Sequence, residues 1–420
     1  MTKRLLEAAG VVATFIAVIL LLKATQVPVS GGTQTPQPST TVSGGPVLKT
    51  SWGDPDLQGI WNHVYATTLQ RPAEYAGREF LTAQEQLEWD RRRAAAPRQN
   101  NPGIAKRGTE QDVSGAYNSV FTSLRPTSPH TSLIVDPPNG RLPQLTAEAR
   151  QRNAEIREYQ LALLQATDVC KNQLAGCAGG RYGPPSPRRL EPPPHYPATG
   201  AIGGGAFNRA DGPEDRGLSE RCLGARLPDF GGFKRIVQSP GAVSIFYDTG
   251  QGQGWQRTIL VTDQPHLPSE VRQWHGDSRG RWEENTLVVD VTNFSAKMDF
   301  FGSRENLQLV ERWKRLDGET IEYVVTVEDP TTWTRPWTAR QNLTRQDERA
   351  NRIYYEPRCH EGNYGLAGLL AGSRAEEKAF AEGRSPNPAT RCSGGCGTGI
   401  EEVEDLDGSK DGYVSGERAR

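Results

Sequence analysis

The sequence predicts a mainly β domain with peripheral helices (α+β). Its expected core is an antiparallel meander sheet, curled or closed like a barrel, with long Pro/Gly-rich loops. Three observations lead there. About eight strands can be placed between residues 234 and 346. Several of them alternate apolar and polar residues with period two, as a sheet with one buried face requires. Short turns such as Asp317-Gly318 join neighbouring strands into hairpins. That many sequence-adjacent strands suit an up-and-down sheet closed around its own side chains or one small ligand. A twisted open sheet backed by the helices is the alternative.

The chain opens with "MTKRLLEAAGVVATFIAVILLLK": Lys3 and Arg4, then an uncharged apolar run from Ala8 to Leu22, then Lys23. A positive start before an apolar run is an export signal, either cleaved or kept as an anchor. Residues 1–23 are therefore read as a signal anchor or signal peptide, with the inner membrane as partner of residues 5–23 if they are retained. Residues 24–49 follow as a linker, since "QVPVSGGTQTPQPSTTVSGGP" holds too little apolar area to fold. The expected location is the periplasmic side of a bacterial inner membrane, or outside the cell if the signal is cleaved. Lys+Arg 49 against Asp+Glu 50 leaves a net charge of −1, so no basic field supports nucleic-acid binding.

Residues 50–383 are read as one β-rich domain, in which 50–233 are helical and loop-like, 234–346 form the sheet and 364–383 close with a helix. "LTAQEQLEWDRRRAAAP" predicts a helix, because Thr82 and Glu85 have capping-box spacing and Pro97 stops it. "TSLIVDPPNGRLPQLT" holds a short strand and a turn, and a second helix is expected from about Thr146 to Thr167. Residues 178–217 contain eight prolines and nine glycines, a long loop that is functional or simply mobile. "AVSIFY" and "RTILVT" read as short apolar strands. "TLVVDVTNF" sets Leu287, Val289 and Val291 against Val288, Asp290 and Thr292, and "TIEYVVTVED" sets Ile321, Tyr323, Val325 and Val327 against Thr320, Glu322, Thr326 and Glu328. "GSRAEEKAFAEG" predicts a third helix capped by Ser373 and Glu376 and ended by Gly383. Residues 384–420 are read as a flexible acidic tail.

Six cysteines in an exported chain favour disulfides over metal thiolates. Spacing suggests local bridges Cys170–Cys177 and Cys392–Cys396, which leaves Cys222 to pair with Cys359; this is the simplest choice among the connectivities that spacing permits.

"GDPDLQGIW" (53–61), "RPAEYAGREFLT" (71–82), "LSERC" (218–222), "RQWHGDSRGRWEENTLVVDVTNF" (272–294), "DPTTWTRPWT" (329–338) and "CHEGNYG" (359–365) together resemble a large family of exported bacterial proteins with no established activity. The resemblance spans roughly residues 50–383 and implies one domain there, and it brings no site residues. One departure is Glu284-Asn285, where the family pattern has a Gly-Asp turn; Asn tolerates positive φ, so the hairpin is expected to survive.

Three constellations carry chemistry, each beside a plainer reading. His360 and Glu361 adjoin Cys359, and Glu220 adjoins Cys222, so a Cys222–Cys359 bridge would bring an imidazole and carboxylates together for acid–base work. His266, His275 and Asp277 could join them, and the plainer reading is a polar network around a disulfide. Trp274, Trp313, Trp333 and Trp337, with Arg335 between the last two, suit a pocket for a sugar or small apolar molecule; the plainer reading is that they fill the core. In the tail, Asp407, Ser409, Asp411 and Gly412 sit at calcium-loop spacing, but Arg418 occupies the position of the bidentate glutamate and Glu417 falls one early. Weak calcium binding is thus the one cofactor expected, against an acidic solvated tail. No G-x-S-x-G elbow is present, and "GAIGGGAF" lacks the Lys-Ser/Thr of a phosphate loop. The chain is therefore expected to be a small-ligand-binding protein. A hydrolase at the His360/Glu361/Glu220 cluster and an envelope structural protein are the alternatives.

Overall fold

Period-two patterning does what it should in the long strands. The computed structural model describes residues 48–63, 65–95, 126–195, 207–216, 221–222, 227–250, 253–346 and 364–392, all within one compact unit spanning 44–420. Ten strands form the sheet: β1 (Gly59–His63), β2 (Ile134–Asp136), β3 (Phe233–Ser239), β4 (Ala242–Gly250), β5 (Gln253–Val261), β6 (Asp277–Glu283), β7 (Thr286–Thr292), β8 (Gln308–Arg315), β9 (Thr320–Glu328) and β10 (Trp337–Arg345). In β9, Ile321, Tyr323, Val325 and Val327 are buried and their neighbours are not, the alternation the sequence predicts. The same phase buries Trp337, Ala339, Gln341 and Leu343 of β10.

Nine of these strands close into a barrel. The order runs β1-β3-β4-β5-β6-β7-β8-β9-β10, and β1 pairs back onto β10 through Trp61↔Arg345, Asn62↔Thr344 and His63↔Leu343. β2 adds to the start of β10 through Thr338↔Asp136 and Ala339↔Ile134, with a bulge between. Closure removes the exposed edges that an open sheet must protect.

Two features depart from a simple meander. The closing strand β1 comes from the segment read as helical and loop-like. Its GIWNH is buried at all five positions, so no alternation marked it. A ring in which every neighbour is antiparallel must also have an even number of strands. Nine strands force at least one parallel pair, and it is β5 with β6, through Leu260↔Arg279 and Val261↔Gly280. A parallel pair cannot be joined by a tight hairpin; the chain must travel back along the strand before it can pair again. Residues 262–276 make that return. Gly276 ends it at φ +68, where a Cβ would stand 2.6 Å from the Thr292 carbonyl oxygen, so glycine is required.

At the β6–β7 turn the hairpin survives, with Glu283 opposite Thr286. The positive φ falls on Glu284 (52°) rather than on Asn285.

Four α-helices are found among the described residues. α1 (Ala83–Ala95) carries the expected capping box: Thr82 N donates to Glu85 Oε2 (2.8 Å) and Glu85 N donates to Thr82 Oγ1 (3.2 Å). α2 (Ala147–Leu164) starts at Thr146, whose hydroxyl accepts from Ala149 N (3.1 Å) and donates to the Thr331 carbonyl (2.9 Å). One face of α2 buries Tyr159 and Leu163 against Phe207. Leu164 packs with α3 (Asp168–Lys171) and the Cys170–Cys177 disulfide, whose Cα atoms are 5.0 Å apart. Cys222 and Cys392 are also disulfide-bonded, and the expected pairings with Cys359 and Cys396 fall on residues outside the described ones. α4 (Tyr364–Ala381) runs straight through Ser373, which is therefore no cap, because the Leu/Ala-rich stretch before it is itself helical. Gly383, at φ 70, ends that helix as expected. No helix among the described residues is long and apolar enough to cross a membrane.

Candidate functional site

Inside the barrel, two charged residues occupy positions in phase with apolar ones. On β5 the inward series is Trp255, Arg257, Ile259; on β8 it is Leu309, Glu311, Trp313. Arg257 donates from Nη2 to Glu311 Oε2 (2.7 Å), and the side chains are 3% and 0% exposed. The Tyr323 hydroxyl donates to the other carboxylate oxygen, Oε1, at 2.7 Å. Both oxygens of Glu311 are thus occupied. Nearby, Lys234 donates to Asp229 Oδ1 (3.1 Å) and to the Gly231 carbonyl (2.6 Å). The Tyr247 ring contacts both cations: its centroid lies 5.8 Å from the Arg257 guanidinium carbon and 5.5 Å from Lys234 Nζ.

These surroundings set the charges. Burial pushes the Tyr247 phenol up, and burial followed by the Glu311 carboxylate pushes Tyr323 up as well. For Arg257, burial is the largest single influence and acts downward, but the charge and hydrogen bond of Glu311 together with the Tyr247 and Tyr323 phenols outweigh it, and the net shift is upward. Both phenols are neutral and the guanidinium is charged at any physiological pH.

This region leaves several buried polar atoms unpaired, charged ones among them. Arg257 Nε and Nη1, the Tyr247 hydroxyl, Gln341 Oε1 and the indole nitrogens of Trp255 and Trp313 are buried with no hydrogen-bonding partner in the protein. Gln341 uses its amide nitrogen on the Phe230 carbonyl (3.0 Å) and sits directly opposite Tyr323 in the sheet. Each buried unpaired polar group costs about 1–3 kcal/mol, so a cluster of them marks a place where water or a ligand belongs.

The parallel return, residues 262–276, braces the barrel beside this cluster. His275 stacks on Trp255 at 3.7 Å between ring centroids, and Trp255 stacks on Tyr247 at 4.1 Å. His266 Nδ1 lies 2.9 Å from Asp277 Oδ2, the Leu267 amide donates to the same oxygen (3.0 Å), and Arg279 Nε lies 3.2 Å from it. A carboxylate-oriented imidazole can move a proton. With three partners converging on one oxygen, Asp277 primarily ties the return segment to β6.

The structure thus brings together some of the residues singled out from the sequence and disperses others. His275 and Asp277 share the return segment's end, with His266 joining Asp277. Trp313 packs on Tyr323 (4.2 Å), while Trp333 and Trp337 meet edge to face (5.7 Å) and Trp337 lies over Phe300 (6.1 Å). All three tryptophans belong to the main core. Trp274 is half-buried on the return segment. Arg335 is half-exposed and holds both oxygens of Asp136 (3.1 and 2.9 Å). Glu220, Cys359, His360, Glu361, Cys396, Asp407, Ser409, Asp411 and Glu417 lie outside the described residues. Among the described residues no group of three or more His, Cys, Asp or Glu is arranged to hold a metal ion.

Arg257, Glu311, Tyr247, Lys234 and Gln341 were not singled out from the sequence. The signal was present: in "WQRTI" and "LVERW" the charged residue falls in step with the apolar face, where a solvated charge would break the pattern.

No family model and no curated protein matches this chain. Among solved structures, two crystal structures of single-substitution mutants of the fluorescent protein UnaG align with 27% of this chain. They cover 71% and 70% of their own chains at 14% and 16% identity, with TM-scores of 0.18 and 0.17. A likeness of that size carries no argument about this protein.

Proposed function

We propose that the chain is an exported protein that binds a small molecule inside its barrel. The observation that carries this reading is the unpaired set around Arg257: a buried guanidinium with two unpartnered nitrogens beside an unpartnered phenol. A barrel built only for stability would place apolar side chains there at lower cost. Export is supported by the basic-then-apolar start of the chain and by the Cys170–Cys177 disulfide, which belongs to an oxidising compartment. The inner membrane is the proposed partner of residues 5–23.

The test is native mass spectrometry of the full chain, recovered from the periplasm with disulfides intact, before and after denaturation. A small molecule present in the native mass and released on unfolding supports the reading. A bare native mass, with ordered waters on Arg257 Nε and Nη1 in a crystal structure of the same preparation, sinks it.

A further inference from the structure

We infer that the molecule held against Arg257 is a neutral carbonyl compound of the carboxamide or lactam class, not a carboxylate; this rests on the reading of the barrel interior as a binding site. Charge decides between the two. The interior cluster holds two cations, Arg257 and Lys234, and each already has its own carboxylate, Glu311 and Asp229. Two positive and two negative groups leave no net charge to balance a buried anion. A carboxylate ligand would therefore be an uncompensated buried charge, by far the costliest thing to place there.

A carbonyl oxygen meets no such penalty. Arg257 has N–H groups on Nε and Nη1 that Glu311 does not use; they lie on different edges of the guanidinium, so one carbonyl oxygen takes one of them, and a hydrogen bond from a charged donor is stronger than a neutral one. Tyr247, kept protonated by burial, supplies a further donor. The unpaired acceptor, Gln341 Oε1, calls for a donor in the ligand. An amide N–H provides one, and a carboxylate has none.

Benzamide and benzoate, nearly equal in size and shape, separate the two classes. Each is titrated at pH 7.5 and equal ionic strength into the ¹⁵N-labelled full chain, reading the indole resonance of Trp255 assigned through Trp255→Phe. Benzamide is expected to bind at least tenfold more tightly than benzoate. Tyr247→Phe, melting no lower than the parent, should weaken benzamide by about fivefold to tenfold while leaving benzoate little affected. A preference below tenfold, or one for benzoate, overturns the ligand class and leaves the pocket standing. Failure of both probes to move the resonance overturns the pocket and the ligand class together.

Discussion

Around Trp337 the interior holds Val327, Phe300 and Trp333, and what it leaves unmet are the two indole N–H groups. Around Arg257 it holds Glu311, Tyr323 and Tyr247, and it leaves charged N–H groups and a phenol unmet. Both regions are buried and belong to one barrel: the first is built on β9, β10 and the segments before β8 and β10, the second on β4, β5, β8 and β9. Apolar contacts are non-directional, so fitting shapes satisfy all of the first except its two neutral indole donors. Hydrogen bonds need a partner at each donor, and the second lacks partners that the chain could have supplied. Directional groups left open in an otherwise closed core are where a binding role is to be sought.

Two single substitutions should show that both regions matter about equally to stability. Trp337→Ala is expected to cost about 3–5 kcal/mol through the cavity it opens. Glu311→Ala is expected to cost about 3–5 kcal/mol because Arg257 is left as a buried unpaired charge. Urea unfolding of both variants checks this, and a loss under about 1 kcal/mol for Glu311→Ala would mean that water already reaches the guanidinium.

The regions should part company in the double variants. Arg257→Met with Glu311→Leu removes both charges together and should match the parent or gain about 1–4 kcal/mol. Adding Phe300→Leu to Trp337→Ala should lose further stability, since the cavity only grows. If the charge-free variant is as unstable as Glu311→Ala, the polar cluster is a structural brace and the contrast collapses.

A smaller effect sharpens the point. The Tyr247 hydroxyl has no partner in the fold, so Tyr247→Phe should leave stability unchanged or raise it by up to about 1–3 kcal/mol in the unliganded protein. A loss above about 1 kcal/mol in a calorimetric scan would reveal a partner for that hydroxyl.

The smallest effect lies outside the barrel and serves as a control. The guanidinium of Arg78 and the Thr82 amide hold Glu85 down to about 2, from an ordinary 4.5. Its folded value lies below its unfolded one, so its contribution is complete above 4.5 and fades as pH falls toward 2. Glu85→Gln should flatten the acid limb of the pH–stability curve slightly in that window. Unaltered slopes would show that this exposed pair contributes nothing measurable.

Much of the barrel was legible because strand phase is a local property. Ile321, Tyr323, Val325 and Val327 announce a buried face within a few residues, and the Thr82/Glu85 box announces a helix start in four. The site was less legible. Arg257 and Glu311 are 54 positions apart, and nothing near either names the other as its partner. Tryptophans drew attention as a pocket lining, yet Trp313, Trp333 and Trp337 spend their area on the core. His266 and Asp277 meet only because the chain doubles back between β5 and β6.

By itself, then, the sequence determined the strands from residue 233 onward, the Thr82/Glu85 cap and the helix end at Gly383. The physical reason is that apolar periodicity and capping chemistry each act over a few residues. The tertiary structure decided that β1 closes the ring, that an odd strand count forces one parallel pair, and that a buried arginine faces inward with nitrogens to spare. Those outcomes depend on register and closure around the whole barrel, where each pairing constrains the next.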